Sequence, residues 1–372
     1  MRYSRMLIVA LCAFLIATGR PQSRAQDPQI IPDPQIITFD APDAGTSSGQ
    51  GTFVQQNVDS GDIVGYYIDA KGVFHAFIRD DYGNFTTFDL AEGGTASGEG
   101  TLAFGINTAG ETTGYAVDAK GVAHGFVRDD DGNITTFDVR KAGKASGQGT
   151  FPFAINVNGE VSGIYRDSKN VFHGFVRSRQ GTLTSFDPEG SVNTIGDTLG
   201  INSSGAVSGI FLDKHSVDHG YLRHPSGAIT EFDAPKAGTV AGTGTVAQSI
   251  NDAGTIPGNS IDAKGVNHGF LRHYAGTFTT FDVAGAGTAS GQGTTPTATN
   301  DANTTTGFYT DKHGVNHGFV RSPQGSITKF NAPGAGTKSG QGTSAISINS
   351  SDAITGSYID EKGVSHGFVG QN

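Results

Sequence analysis

One unit of about 49 residues is written seven times in this chain of 372. The tripeptide His75-Ala76-Phe77 returns as His-Gly-Phe or His-Gly-Tyr at His124, His173, His219, His268, His317 and His366, at intervals of 49, 49, 46, 49, 49 and 49. Phe39, Phe88, Phe137, Phe186, Phe232, Phe281 and Phe330, each followed by Asp or Asn, keep the same rhythm. A period of roughly 20 to 50 residues marks an array, a solenoid or a propeller.

The second unit shows what each repeat builds. Thr101 to Asn107, Glu111 to Asp118, Val122 to Asp129 and Asn133 to Val139 are short, rich in β-branched and aromatic residues, and bounded by Gly, Asn or Asp. Each reads as a strand. The connections Thr108-Ala109-Gly110, Ala119-Lys120-Gly121 and Asp130-Asp131-Gly132 have hairpin length, so the unit is a four-stranded antiparallel meander. In the middle hairpin, Asp118 opens the turn by offering its carboxylate to backbone N–H groups, and Gly121 closes it. The opening Asp recurs as Asp69, Asp118, Asp167, Asp213, Asp262, Asp311 and Asp360.

Pairing Asp118 with Val122 across that turn puts Gly114 opposite Phe126, on the face that also carries His124. The same Gly recurs as Gly65, Gly163, Gly209, Gly258, Gly307 and Gly356, each opposite an aromatic whose ring covers bare backbone. This face is expected to pack between neighbouring units.

The repeats begin with a lone fourth strand, Ile36 to Asp40, and end after a third, Val364 to Val369. The two fragments make one whole unit, which a ring can pair and an open array cannot. The expected fold is all-β: a seven-bladed β-propeller of four-stranded antiparallel blades closed by the N-terminal strand, with an open β-repeat array as the alternative. Its blades span about 52–89, 101–138, 150–187, 196–233, 245–282, 294–331 and 343–369 plus 36–40. Blade 4 has a shortened lead-in, Pro188 to Asp197, and lacks the Ser-Gly-Gln-Gly-Thr seen at Ser146 to Thr150. In blade 1, Asn57-Val58 stands where other blades have Ile106-Asn107 or Ile155-Asn156.

Residues 1–25 read as a secretory signal peptide: Arg2 and Arg5 precede an apolar stretch from Leu7 to Ala17, and Ser23-Arg24-Ala25 offers a small-x-small cleavage site. That stretch is shorter than the roughly 20 residues a membrane span needs. Residues 26–35 form a linker to the domain at 36–372. The only cysteine, Cys12, lies in the leader after Leu11, so the mature chain has no thiol and neither disulfide nor thiolate-metal chemistry. Losing the leader's four arginines takes 25 basic residues to 21 against 35 acidic, a net charge of −14. Such a chain repels phosphate backbones, so nucleic acid is excluded as a partner. The expectation is an exported monomer, extracellular or periplasmic, without a membrane span.

The succession Ile-Asn-x-x-Gly, Gly-Tyr-x-x-Asp, His-Gly-Phe-Val-Arg and Thr-Thr-Phe-Asp resembles the bacterial "extracellular repeat, HAF family" proteins over essentially all of Ile36 to Val369. The resemblance implies export and a repeated β-fold. It implies no reaction and no substrate.

Seven histidines, each six residues after an aspartate, invite a metal or acid/base reading. Their symmetry opposes it, since one channel needs one set of catalytic groups; they read as structural hydrogen-bonding devices, and one His with one Asp falls short of a zinc ligand set. Asp129-Asp130-Asp131-Gly132-Asn133 and Asp80-Asp81-Tyr82-Gly83-Asn84 have the alternating oxygens of calcium loops, but no later bidentate Glu. They read as hairpin turns, with no cofactor expected and calcium as the alternative. Ser-Gly-Gln-Gly-Thr lacks the Lys-Ser/Thr of a phosphate loop and reads as a flexible lead-in to the first strand.

Residues that break the symmetry are the better binding candidates. They are His215 and His313 in second-to-third-strand turns, after Lys214 and Lys312; these turns share a face with the lead-in loops that carry the recurring Gln50, Gln148, Gln292 and Gln341, which join them as binding candidates. His224, His273, Tyr82 and Tyr274 also stand outside the pattern. The chain therefore reads as a secreted binding or scaffold module, for a glycan or a protein, without catalysis of its own. The alternatives are a propeller polysaccharide lyase or hydrolase with its site at the channel mouth, and a structural cell-surface or matrix component.

Overall fold

The computed structural model describes residues 34–371, with side chains at 196–199 left aside; the leader and most of the linker lie outside the described residues. The described chain contains 28 strands and no helix. Blade 2 is typical: Gly100–Ile106, Thr112–Val117, Ala123–Arg128 and Ile134–Phe137 pair in succession, all antiparallel. The second, third and fourth strands are a residue or two shorter at their ends than the sequence reading, because flanking residues such as Asp118, Asp129 and Asn133 belong to the turns, and the first strand is shifted one residue earlier.

Register follows the bare glycine. Gly65, Gly114, Gly163, Gly209, Gly258, Gly307 and Gly356 pair with Phe77, Phe126, Phe175, Tyr221, Phe270, Phe319 and Phe368. All seven rings are fully buried. A Cβ on Gly163 would stand 2.7 Å from the Phe175 ring. The ring thus occupies the volume a side chain would need.

The same rings make the contact between blades. The Phe that ends one blade meets the buried aromatic of the next edge-on: Phe88 with Phe126 at 5.8 Å, Phe137 with Phe175 at 6.0 Å, Phe186 with Tyr221 at 5.8 Å, Phe281 with Phe319 at 6.0 Å. The arginine after the third-strand aromatic lies over that same Phe, as Arg128 over Phe88 and Arg177 over Phe137. Each such ring pair is worth roughly 0.5–1.5 kcal/mol beyond its area burial. The cation-π contact adds roughly 0.5–2 kcal/mol where partly desolvated.

A second belt of bonds runs around the ring through the Ile-Asn asparagines. Asn107 Nδ2 donates to the Asn156 carbonyl, Asn156 to Asn202, Asn202 to Asn251, Asn251 to Asn300, Asn300 to Asn349, and Asn349 to Val58, at 2.8–3.2 Å. The displacement in blade 1 breaks the belt at one junction. Val58 has no amide to donate, and blades 1 and 2 are joined instead by Ile106 N–H donating to Gln56 Oε1 at 3.1 Å.

The ring closes. The N-terminal strand Gln35–Phe39 pairs antiparallel with the C-terminal strand Ser365–Gln371, from Gln35 opposite Gln371 to Phe39 opposite Gly367. It starts one residue earlier than the sequence reading, and it completes blade 7. Phe39 then meets Phe85 at 6.0 Å and lies under Arg79 at 4.6 Å, so blade 7 presents to blade 1 the surface the other blades present to their successors. No helix among the described residues is long and apolar enough to cross a membrane.

Blade 4 departs from the expected start near Gly196. Its first strand runs Asn193–Ile201, because the shortened loop supplies a side chain in place of backbone. Elsewhere the first N–H of the third strand donates to a lead-in carbonyl, as Ala123 to Gln148 at 2.9 Å. Here Phe172 N–H donates to Asn193 Oδ1 at 3.1 Å.

Gly163→Ala should destabilise the fold by about 1–3 kcal/mol, the usual cost of overpacking. Urea denaturation reads this as a lower midpoint at unchanged slope; an unchanged midpoint would contradict the ring-over-glycine packing.

Candidate functional site

Six of the seven repeat histidines are held by two carboxylates each, and His317 by one. Nδ1 contacts the Asp that ends the same blade, fourteen residues on: His75 with Asp89, His124 with Asp138, His173 with Asp187, His219 with Asp233, His268 with Asp282, all at 2.8–3.0 Å. Asn331 takes that place for His317, and Asp40 of the N-terminal strand takes it for His366. Nε2 faces the turn aspartate at 3.4–3.8 Å. The aspartate six residues earlier, the partner read from the sequence, is therefore the weaker of the two. The stronger was visible in the matching period of the Phe-Asp pairs.

The turn aspartates do what the turn chemistry requires. Asp118 Oδ1 accepts Lys120 N–H at 2.8 Å and Val122 N–H at 2.9 Å. Hydrogen bonds from Val171 and Lys169 hold the Asp167 carboxyl below the usual carboxylate range, against a smaller push upward from burial. For His124, burial favours the neutral ring, but Asp138 and then Asp118 outweigh it and hold its pKa above the ordinary value. Five of the rings stack on a second-strand aromatic, as His173 on Tyr165 at 4.9 Å. Ala116 and Ser260 stand opposite His124 and His268 instead.

The lead-in loop is anchored rather than flexible. Gly147 N–H donates to the Gly121 carbonyl of the preceding turn at 2.8 Å, and Gly149, at φ 125°, passes so close to Ala123 that a Cβ would strike its carbonyl. This requires glycine. The glutamines cap their own loops: Gln50, Gln148, Gln292 and Gln341 accept through Oε1 the N–H of Ser47, Ala145, Ala289 and Lys338. Gln148 also donates to Asn170 Oδ1 at 2.9 Å.

The turns carrying Lys214 with His215 and Lys312 with His313 share the lead-in face, as expected. His215 and His313 are exposed, each giving its N–H to the turn aspartate at 2.8 Å. Neither these residues nor the four glutamines line the channel. His224 and His273 bond Thr230 and Thr279 within their own hairpins, and Tyr82 and Tyr274 are 87% and 76% exposed at hairpin tips. In the acidic hairpins, Asp129 and Asp80 accept both the backbone and the side-chain N–H of Asn133 and Asn84, the geometry of a turn.

The first strands and the residues just after them, with Phe308 of the second strand of blade 6, enclose a cavity of about 390 Å³. Phe104, Phe153 and Phe308 contribute rings, Gln55 and Gln248 amides, and Thr297 a hydroxyl; no titratable side chain lines it among the described residues. Its wall was legible only as strand, since alternation does not say which residues meet across a ring.

One carboxylate breaks the symmetry within a blade interface. Asp218 stands where other blades have Phe74, Ala123, Phe172, Asn267, Asn316 and Ser365, and burial pushes its carboxyl up to about 6. Among the described residues no titratable side chain bonds to it, so it has no partner for acid/base work.

No family model matches the chain, and no curated protein matches it. Solved structures do. A lectin, BP39L from Burkholderia pseudomallei, superposes over 84% of this chain and 96% of its own, with TM-score 0.50 and 10% identity. The likeness is one of fold. Puromycin hydrolase (TM-score 0.50, 11% identity) and a prolyl endopeptidase (0.52, 10%) align with 86% and 89% of this chain but only 53% and 50% of theirs.

Because the folded carboxyl of Asp218 is raised, its ionisation opposes folding once pH passes the ordinary value of 3.8, and fully above about 6. Asp218→Asn should therefore raise the melting temperature at pH 8, and the gain should vanish below pH 3.8. A gain that is independent of pH would contradict the burial of the charge.

Proposed function

We propose that this protein is a non-catalytic binding module, exported by its leader, that takes a neutral hydroxyl-rich ligand, a glycan, in the channel. One observation carries this: the channel cavity presents rings, amides and hydroxyls with no ionisable group among its described lining. Ring faces accept the C–H faces of a sugar, and amides and hydroxyls match its OH groups. A volume of about 390 Å³ is in the range of small-ligand sites. Lyase or hydrolase chemistry needs a base and an acid within reach of one bond. The repeated histidines and aspartates are arranged sevenfold and hold hairpins together, which suits a scaffold. On this reading the HAF-type signature is a recipe for building blades, and blades of this kind display a ligand at their common axis.

Calorimetric titration with neutral gluco- and manno-oligosaccharides should give saturable binding without turnover. Phe153→Ala and Gln248→Ala should each weaken it roughly tenfold, equivalent to about 1.4 kcal/mol. Product formation, or binding indifferent to both substitutions, would sink the proposal.

A further inference from the structure

A second hollow, of about 410 Å³, opens on the lead-in face between the Asp118–Val122 turn and the 139–144 loop of blade 2. It departs from the sevenfold pattern in charge. The loop reads Val139-Arg140-Lys141-Ala142-Gly143-Lys144, whereas the corresponding loop of blade 1 carries Glu92 and Glu99 and that of blade 5 has no charge between Val283 and Ser290. Arg140, Lys144 and Lys120 line the hollow, and all three are exposed. Among the described residues no carboxylate lies within ion-pair distance of them, on a chain whose overall charge is −10.

The carboxylates in the hollow are already engaged. Asp118 holds its turn and faces His124, and Asp138 contacts His124 Nδ1 at 2.9 Å. The floor is apolar, formed by buried Val122 and Val139 with Ala142. Ala123 replaces the larger Phe74 and Phe172 of the flanking blades, which leaves the hollow open at its back. The loop is also rigid. Ala142 N–H donates to Val139 O at 2.8 Å, Gly143 N–H to Arg166 O at 2.8 Å, Ala142 bridges to Asp167, and Gln148 closes the far end on Asn170. A loop backbone already held in one conformation loses less on binding than a mobile one.

We propose that this hollow is a second binding site, separate from the channel, for an organic oxyanion: a carboxylate or sulfate ester on a ring-sized body, as in a uronic or a sulfated sugar. Arg140 offers a planar fork to the acid group, Lys144 and Lys120 flank it, and the valine floor takes the ring. A bare inorganic ion would leave most of the volume and the whole apolar floor unused. Neutral sugars gain nothing from the cations.

Calorimetry on the mature chain with trigalacturonate, a sulfated disaccharide, neutral trigalactose and inorganic sulfate tests this. One of the two organic anions should bind at one site per chain, weaken on raising salt, and lose at least tenfold in affinity in Arg140→Ala and in Lys144→Ala. Which of the two binds identifies the acid group. Lys264→Ala and Lys362→Ala, the same turn position in blades 5 and 7, should leave binding unchanged. No saturable binding of either organic anion, equal binding of inorganic sulfate or trigalactose, or equal losses in the two control variants would overturn the assignment. Failure of neutral sugars to bind the channel would leave it untouched.

Discussion

Every blade interface in this protein is completed by the blade before it, so the structure rests on the ring having no first blade. At most junctions the Phe at the end of one blade stands edge-on to the buried aromatic of the next, as Phe88 to Phe126, and at six it lies under the next blade's arginine. In an open array the first blade would expose one such surface and the last would be missing a strand. The N-terminal strand resolves both: its backbone completes blade 7, Asp40 holds His366, and Phe39 slides beneath Arg79 of blade 1. A fully buried aromatic contributes about 1.5–3 kcal/mol by area alone, so one unmatched interface would consume a large part of a typical net stability.

Sevenfold symmetry also separates scaffold from site. The His-Asp device recurs in every blade, and the asparagine belt and the capped lead-in loops recur at most junctions, because they hold the hairpins and join the blades. What fails to recur lies where an interface tolerates change: Asn193 standing in for a carbonyl, Asp218 pressed into a junction, Ala123 and the basic loop opening a hollow. The channel is different, since its lining is shared by all blades and is therefore free to carry a ligand on the axis without disturbing any one of them.

Much of this was legible in the residues. The four-strand unit, the glycine under its ring and the closing strand follow from period two, turn chemistry and the count of fragments at the two ends. Asp118 is a partner of His124, as the spacing of six suggests, but Asp138 is the nearer one through the third-to-fourth strand pairing. The candidate glutamines sit on the expected face, but a repeated polar residue in a tight loop is held by the loop's own N–H groups first. The hollow in blade 2 has two traces in the residues, the run Arg140-Lys141-Ala142-Gly143-Lys144 and the small Ala123. They are 17 to 21 residues apart, and only the blade fold makes them neighbours.

Closure is the claim on which the rest stands, and thermal unfolding of the chain lacking residues 26–41 tests it most directly. The account predicts a melting temperature lower by roughly 10 °C or more, with recovery on adding a peptide that spans residues 34–44. An unchanged melting temperature would contradict the closed ring.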